Sequence, residues 1–221
     1  MDYKIILASA SPRRKQILEK LNIPFTIEPA DIDESVIEEE TPCHYVEGLA
    51  IEKAQKIFRP YPEAFVIGSD LTCDLDGVSI GKAKDAAMAR EMLKNFSGRE
   101  HYGRCGWAVV KGSCVLASGV ATTFVSFKDL DEEQINKYLD SKQWLGLAGA
   151  YGVQNDGAKF IKLFKGSYYD ILGLPIYHVA SALMSFGVGI TRGDIENIRR
   201  TDSLITIQNK HISTSRLGFR L

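Results

Sequence analysis

No run of 18 or more apolar residues occurs in this 221-residue chain, so no transmembrane helix is expected. The first apolar stretch is too short for a signal peptide and runs at once into Arg13, Arg14 and Lys15, which points to a cytoplasmic protein with no membrane partner. An excess of one charge is missing too. With 27 basic and 28 acidic side chains the formal charge is -1, which argues against a dedicated DNA- or RNA-binding protein while leaving room for a local basic pocket. Cysteine is scarce and unpatterned: Cys43, Cys73, Cys105 and Cys114 form no C-x-x-C pair, and His44 beside Cys43 is not a metal-ligand pattern by itself. Neither a zinc site nor a disulfide framework is expected, only reduced and mostly buried thiols. The remaining histidines, His101, His178 and His211, are scattered and take no role. Three common nucleotide and hydrolase signatures are also absent: no G-x-x-x-x-G-K-[ST], no G-x-G-x-x-G and no H-E-x-x-H.

What is present is ordinary for a folded chain, 45% hydrophobic and 25% charged. Residues 4–7 read as a short buried strand. Ser11 followed by Pro12 marks a helix start, with Ile17, Leu18 and Leu21 on its inward stripe. A second short strand (PFTIEPA) and an acidic loop (DIDES) follow. Thr41 and Pro42 repeat the cap-plus-proline signal and open a helix to about Phe58. Residues 64–68 read as a central strand, and LTCDL-DG-VSI as a separate hairpin whose Asp76 and Gly77 suit a type I′ turn. A helix is expected over 85–96, strands over 105–110 and 114–127, a helix with a capping box over 131–140, a strand over 158–164, and a last helix from Pro175 with Val179, Ala182, Leu183 and Phe186 inward. The alternation predicts an α/β (mixed α+β) class. Residues 1–188 are expected to form one domain. Residues 189–221, polar and without a sustained period, are expected to be a poorly ordered or loosely attached tail.

Five groups of residues suit chemistry. Arg13 and Arg14 stand in the first turn of a helix, where cations oppose the helix dipole at about 0.3–1 kcal/mol each. They are either splayed into solvent or gathered, with Ser9 and Ser11, around an anion. Lys53 shares the inward stripe of Ala50 and Ile57. It either snorkels to the rim, the commoner outcome, or faces a polar cavity. Asp70 follows an apolar strand by two residues, at the kind of strand end where open α/β sheets place ligands; its carboxylate suits a proton acceptor or a metal ligand. Asp31, Asp33 and Glu34 form a second acidic group, a solvated loop or a share of that metal. Lys82 at a hairpin exit and Gln154 in a glycine-rich stretch complete the set, each an ordinary loop residue or a ligand contact. A cation-rich set with isolated carboxylates suits a polyphosphate substrate and a hard metal.

In order along the chain, LASASPRRKQIL, DIDES, EKA, IGSD, GKA, SGREH, AGAYGVQ and GSYYDILGLP resemble the Maf family of nucleoside triphosphate pyrophosphatases, over roughly residues 4–187. The resemblance implies a Maf/ITPase-like two-lobed fold with a central mixed sheet and a cleft between the lobes. It implies hydrolysis of a nucleoside triphosphate to the monophosphate and diphosphate (a nucleoside triphosphate diphosphatase, acting on an acid anhydride) and a divalent cation, Mg²⁺ or Mn²⁺. It also implies house-cleaning of non-standard nucleotides and, often, a homodimer. By motif, Asp70 resembles the general base; Arg13, Arg14, Lys53 and Lys82 the phosphate-binding cations; Ser9 a substrate contact; Glu34 a metal-site or substrate-positioning carboxylate, sharing the metal with Asp70; and Gln154 a base-side contact. SPRR with AGAYGVQ resembles the subgroup acting on dTTP and UTP. The chain departs from the family pattern at Leu71, Ala83 and Leu147. The family's association with septum formation supplies a second reading, a nucleotide-binding regulator of cell division with weak or no hydrolysis.

Overall fold

The computed structural model describes residues 3–32 and 41–204, with side chains through 202. Strands β1 (Ile5–Leu7), β2 (Thr26–Ile27), β3 (Phe65–Leu75), β4 (Val78–Ile80), β5 (Glu100–Lys111), β6 (Cys114–Phe127) and β7 (Ile161–Lys165) form one seven-stranded sheet, in the order β2-β1-β3-β5-β6-β7 with β4 on β3. β1 pairs in parallel with β2 and β3, and every other pairing is antiparallel. The expected mixed α/β class and central mixed sheet are therefore what the chain forms.

The helices are α1 (Pro12–Leu18), α2 (Pro42–Phe58), α3 (Ala86–Phe96), α4 (Glu132–Asp140), α5 (Tyr168–Leu172), α6 (Ile176–Ser185) and α7 (Arg192–Leu204). Their starts follow the sequence. Ser11 and Thr41 accept from the backbone N–H three residues on, each with proline next, and Asp131 and Gln134 close a reciprocal capping box. Successive strand residues point to opposite faces. Ile6, Ala8, Val66 and Val110 therefore pack with Ala54 of α2, while Ile5, Leu7, Ile67 and Val109 join the larger core with α1, α3, α5 and α6. None of the described helices is long and apolar enough to cross a membrane.

Four expectations need correction. The strand at 64–68 and the first arm of the hairpin are one strand, because β5 pairs with β3 without a break from Phe65↔Lys111 to Asp74↔Tyr102. Asp70 consequently stands inside a strand, not beyond its end. The five-residue α5 was not expected; one and a half turns are too short to show a helical period. Phe186, expected inward, is exposed, since the helix ends at Ser185. The stretch expected as a loose tail from Gly189 is helical over Arg192–Leu204, with Ile195 and Ile198, three apart, buried in the main core. The rest of that stretch, 205–221, lies outside the described residues.

Candidate active site

The sheet has a notch beside β3. Toward β1 the ladder covers only residues 65–67 of β3, and toward β4 only 73–75. Between them, residues 68–72 carry no strand partner on that side among the described residues, while β5 continues along the other edge. One rim of the notch is the end of β1, leading through Ser9 into the N-terminus of α1. The other is the end of β4, leading through Gly81 into Lys82. Asp70 stands in the middle.

On the α2 face, the Lys53 Nζ donates to Asp70 Oδ1 at 2.6 Å, with the two side chains 5% and 11% exposed. The sequence favoured a snorkelling lysine; the structure places it in the polar alternative. Two glycines make this possible. A Cβ on Gly68 would lie 1.9 Å from the Ala50 carbonyl oxygen, and one on Gly106 2.0 Å from that of Val46. Only bare backbone on β3 and β5 lets α2 come this close, and that approach brings Lys53 onto Asp70. The sequence reading named neither glycine; an isolated glycine within a strand pattern is the signal that marks close backbone approach.

On the opposite face, Arg14 is held at two points. Its Nε–H donates to the Gly173 carbonyl at 2.8 Å and its Nη1–H to Ser9 Oγ at 3.1 Å. Ser9, itself buried, also accepts from the Ser11 N–H at 3.2 Å. Ser69, next to Asp70 in sequence and fully buried, lies 2.7 Å from the Gly106 carbonyl and 2.9 Å from that of Gly173, both within reach of its single hydroxyl proton. Ser69 of IGSD and Gly173 of GSYYDILGLP carry no sequence signal of these roles, which arise only from the partners the fold brings to them. Burial, and then the neighbouring Arg14 charge, hold the Arg13 guanidinium below its ordinary pKa. Two half-buried cations at a helix N-terminus are an arrangement that a bound anion relieves.

Arg13 lines a small hollow with Leu71, Cys73, Leu147, Ala148, Tyr151, Gly152, Val153, Gln154 and Ile171. The far rim reaches the same hollow, because the Lys82 backbone bridges Ala148 and the Gly149 N–H donates to the Gly81 carbonyl at 2.9 Å. Beneath it, Tyr151 lies 2.8 Å from His101 Nε2 within a cluster including Phe96 and Phe127. Burial pushes His101 down to about 3, so it stays a neutral core residue. Cys73 and Cys105 are buried thiols raised to about 12, chiefly by desolvation, whereas Cys43 is half-buried and Cys114 exposed.

The sequence-predicted residues thus fall into three groups around one notch: Lys53 with Asp70; Ser9 with Arg14; and Arg13 with Gln154, next to the Lys82 bridge. Asp70 and Leu71, on opposite faces of β3, link the first group to the third. Glu34 and Asp33 lie outside the described residues. Among the described residues no three His, Cys, Asp or Glu side chains gather as a metal cluster. Asp70 supplies one carboxylate, a hard oxygen donor of the kind Mg²⁺ and Mn²⁺ take.

The profile of the Maf-like protein family matches residues 4–186. A dTTP/UTP pyrophosphatase of Clostridioides difficile (strain 630) is 42% identical over 185 residues, spanning 82% of this chain and 94% of that one. Proteins of the same name from Moorella thermoacetica and Symbiobacterium thermophilum are 40% and 38% identical, over 85% and 86% of this chain and 97% of each relative. Among solved structures, a HAM1 protein from Coxiella burnetii superposes on 57% of this chain and 73% of its own at 16% identity, with a TM-score of 0.41.

Proposed function

The chain belongs to the Maf family, and from that premise we propose that it is a nucleoside triphosphate pyrophosphatase, releasing a nucleoside monophosphate and diphosphate, with dTTP and UTP as its preferred substrates. The observation that carries the reading is the buried Lys53–Asp70 pair, set in an open stretch of β3 beside the helix N-terminus where Ser9, Arg13 and Arg14 gather.

Asp70 orients a water for attack on the α-phosphorus and accepts its proton. Lys53 balances the carboxylate charge and fixes Oδ1, leaving Oδ2 to face the water. Arg14, held through Nε and Nη1, presents Nη2 to a phosphate oxygen, and Arg13 and Lys82 add charge from the two rims. Such fixed donors stabilise the diphosphate as it departs, because they are already in place when charge builds on it. Asp70 and Glu34 would hold a divalent cation, Mg²⁺ or Mn²⁺, which neutralises charge on phosphate oxygens when bound. The base occupies the hollow between Leu71, Leu147 and Tyr151, with the Gln154 amide reading its edge. The same reading has a cytoplasmic homodimer acting on free nucleotides and not on DNA or RNA.

The names of the relatives favour hydrolysis over a sensor of cell division that binds without cutting. Incubation with a panel of nucleoside triphosphates and Mg²⁺, with products resolved by chromatography, separates the readings. Monophosphate plus diphosphate supports the pyrophosphatase. Orthophosphate alone indicates a general phosphatase, and tight binding without product indicates the sensor.

A further inference from the structure

The family profile ends at residue 186, yet the chain continues into α7 from Arg192. This helix contacts α5, the segment whose C-cap holds Arg14. Asp202 of α7 accepts the Tyr168 N–H at 2.9 Å through Oδ1 and the Tyr177 hydroxyl at 2.7 Å through Oδ2. The first bond lies at the N-terminus of α5, where Ser167 Oγ also accepts from the N–H groups of Tyr169 and Asp170. The second ties α7 to α6, whose Tyr177 hydroxyl also lies 3.3 Å from the Ile198 carbonyl. Ile195 and Ile198 anchor the rest of α7 in the main core.

The other end of α5 is at the site. Its C-cap, Gly173, takes a left-handed φ of 108° and donates back to the Tyr169 and Asp170 carbonyls. The Gly173 carbonyl then receives the Arg14 Nε–H, with the Ser69 hydroxyl also within reach. Five helical residues span only about 7.5 Å, so α5 moves as a unit. A shift at Tyr168 is passed to Gly173, and through that carbonyl to a planar guanidinium whose free face is set by where Nε is held.

We propose that α7 is a clamp added to the family fold and that Asp202 is a positioning residue, acting through α5 and the Gly173 carbonyl to aim Arg14 at the triphosphate. The inference deepens the pyrophosphatase reading and rests on it. It does not place Asp202 in contact with substrate.

The test uses the full-length chain with Asp202→Ala, Asp202→Asn and Tyr177→Phe, each alone and combined with Arg14→Ala. KM, kcat and the equilibrium Kd for dTTP are measured beside thermal melts. Asp202→Ala should raise KM and Kd about 5- to 30-fold, the span of one to two interactions of ordinary strength, and lower kcat as well, because Arg14 also stabilises the departing diphosphate. Asp202→Asn, whose amide oxygen still accepts the Tyr168 N–H, should recover part of that loss, and Tyr177→Phe should give a milder rise. In the Arg14→Ala background the Asp202 and Tyr177 substitutions should add nothing, because contacts in one chain of interactions are not additive. Lowered melting with unchanged KM, or the same fold-change with and without Arg14, overturns the clamp and leaves α7 a stabilising helix. Should Asp202→Ala not fold, Tyr177→Phe decides on the same criteria. A wild-type chain that neither binds nor cleaves dTTP overturns the functional reading and the clamp together, whereas additive variants of an active wild type overturn the clamp alone.

Discussion

Replacing Lys53 with methionine isolates what the buried pair contributes. The ammonium and the Asp70 carboxylate are 2.6 Å apart, and both side chains are about nine-tenths covered. Methionine fills much the same volume but leaves the carboxylate without its cation at a place water reaches poorly. Breaking a buried pair from one side costs about 3–5 kcal/mol, most of it the stranded charge. A chain of this size loses about 2–4 °C in midpoint per kcal/mol, so Tm should fall by about 6–20 °C. The double variant Lys53→Met with Asp70→Leu removes both charges and should regain most of that stability, since an apolar pair of similar volume is often as stable as the ions it replaces. It should nevertheless be inactive, because the proton acceptor is gone. Urea denaturation near neutral pH gives the stabilities, and release of diphosphate gives the turnover. A Lys53→Met loss below about 1 kcal/mol, the range of an exposed pair, would refute the burial argument. So would a double variant as unstable as the single one.

Lys82→Ala should lower kcat/KM for the triphosphate with little change in melting, since the side chain is exposed and the backbone bridge to Ala148 survives; an unchanged kcat/KM removes Lys82 from the site. Gly68→Ala should destabilise the fold by about 1–3 kcal/mol, as overpacking does, and lower activity, because the new Cβ displaces α2 and with it Lys53; unaltered kinetics would show that the close approach is dispensable. Burial, and then the charge of Asp202, push Asp170 up to about 7. Its ordinary pKa is near 4, so between those values the folded chain keeps a proton that the unfolded chain has lost. This group therefore makes stability fall as pH rises from about 4 to about 7 and level off above. Asp170→Asn should exceed wild-type stability at about pH 8 by up to about 4 kcal/mol, at about 1.4 kcal/mol per pKa unit, and the gap should close toward about pH 4. A gap that does not vary with pH contradicts the assignment.

The parts of the fold legible in the sequence were those that a few neighbouring residues decide. Asp76 and Gly77 have φ of 53° and 84°, the two positive values a type I′ turn needs, and the dipeptide already announced them. The caps at Ser11, Thr41 and Asp131 are equally local. The full length of β3 was not legible, since it is set by β5, about 40 residues further on. Nor was α7, whose two buried isoleucines are too few to mark a helix until a core is there to receive them. The candidate site follows the same division. Asp70, Lys53 and the arginines stood out by residue type and position. Ser69 and the Gly173 carbonyl did not, because a buried hydroxyl and a backbone oxygen acquire meaning only from partners 104 and 159 residues distant in the chain.

The account depends most on Asp70 as the proton acceptor in a site already shaped for triphosphate. Steady-state diphosphate release from dTTP with Mg²⁺, by the wild type and by Asp70→Asn, tests that directly. One positioned base is worth about 10²–10⁴ in rate, so kcat should drop by that order while dTTP still binds and the fold melts as a single cooperative unit. Turnover of Asp70→Asn close to that of the wild type would contradict the account.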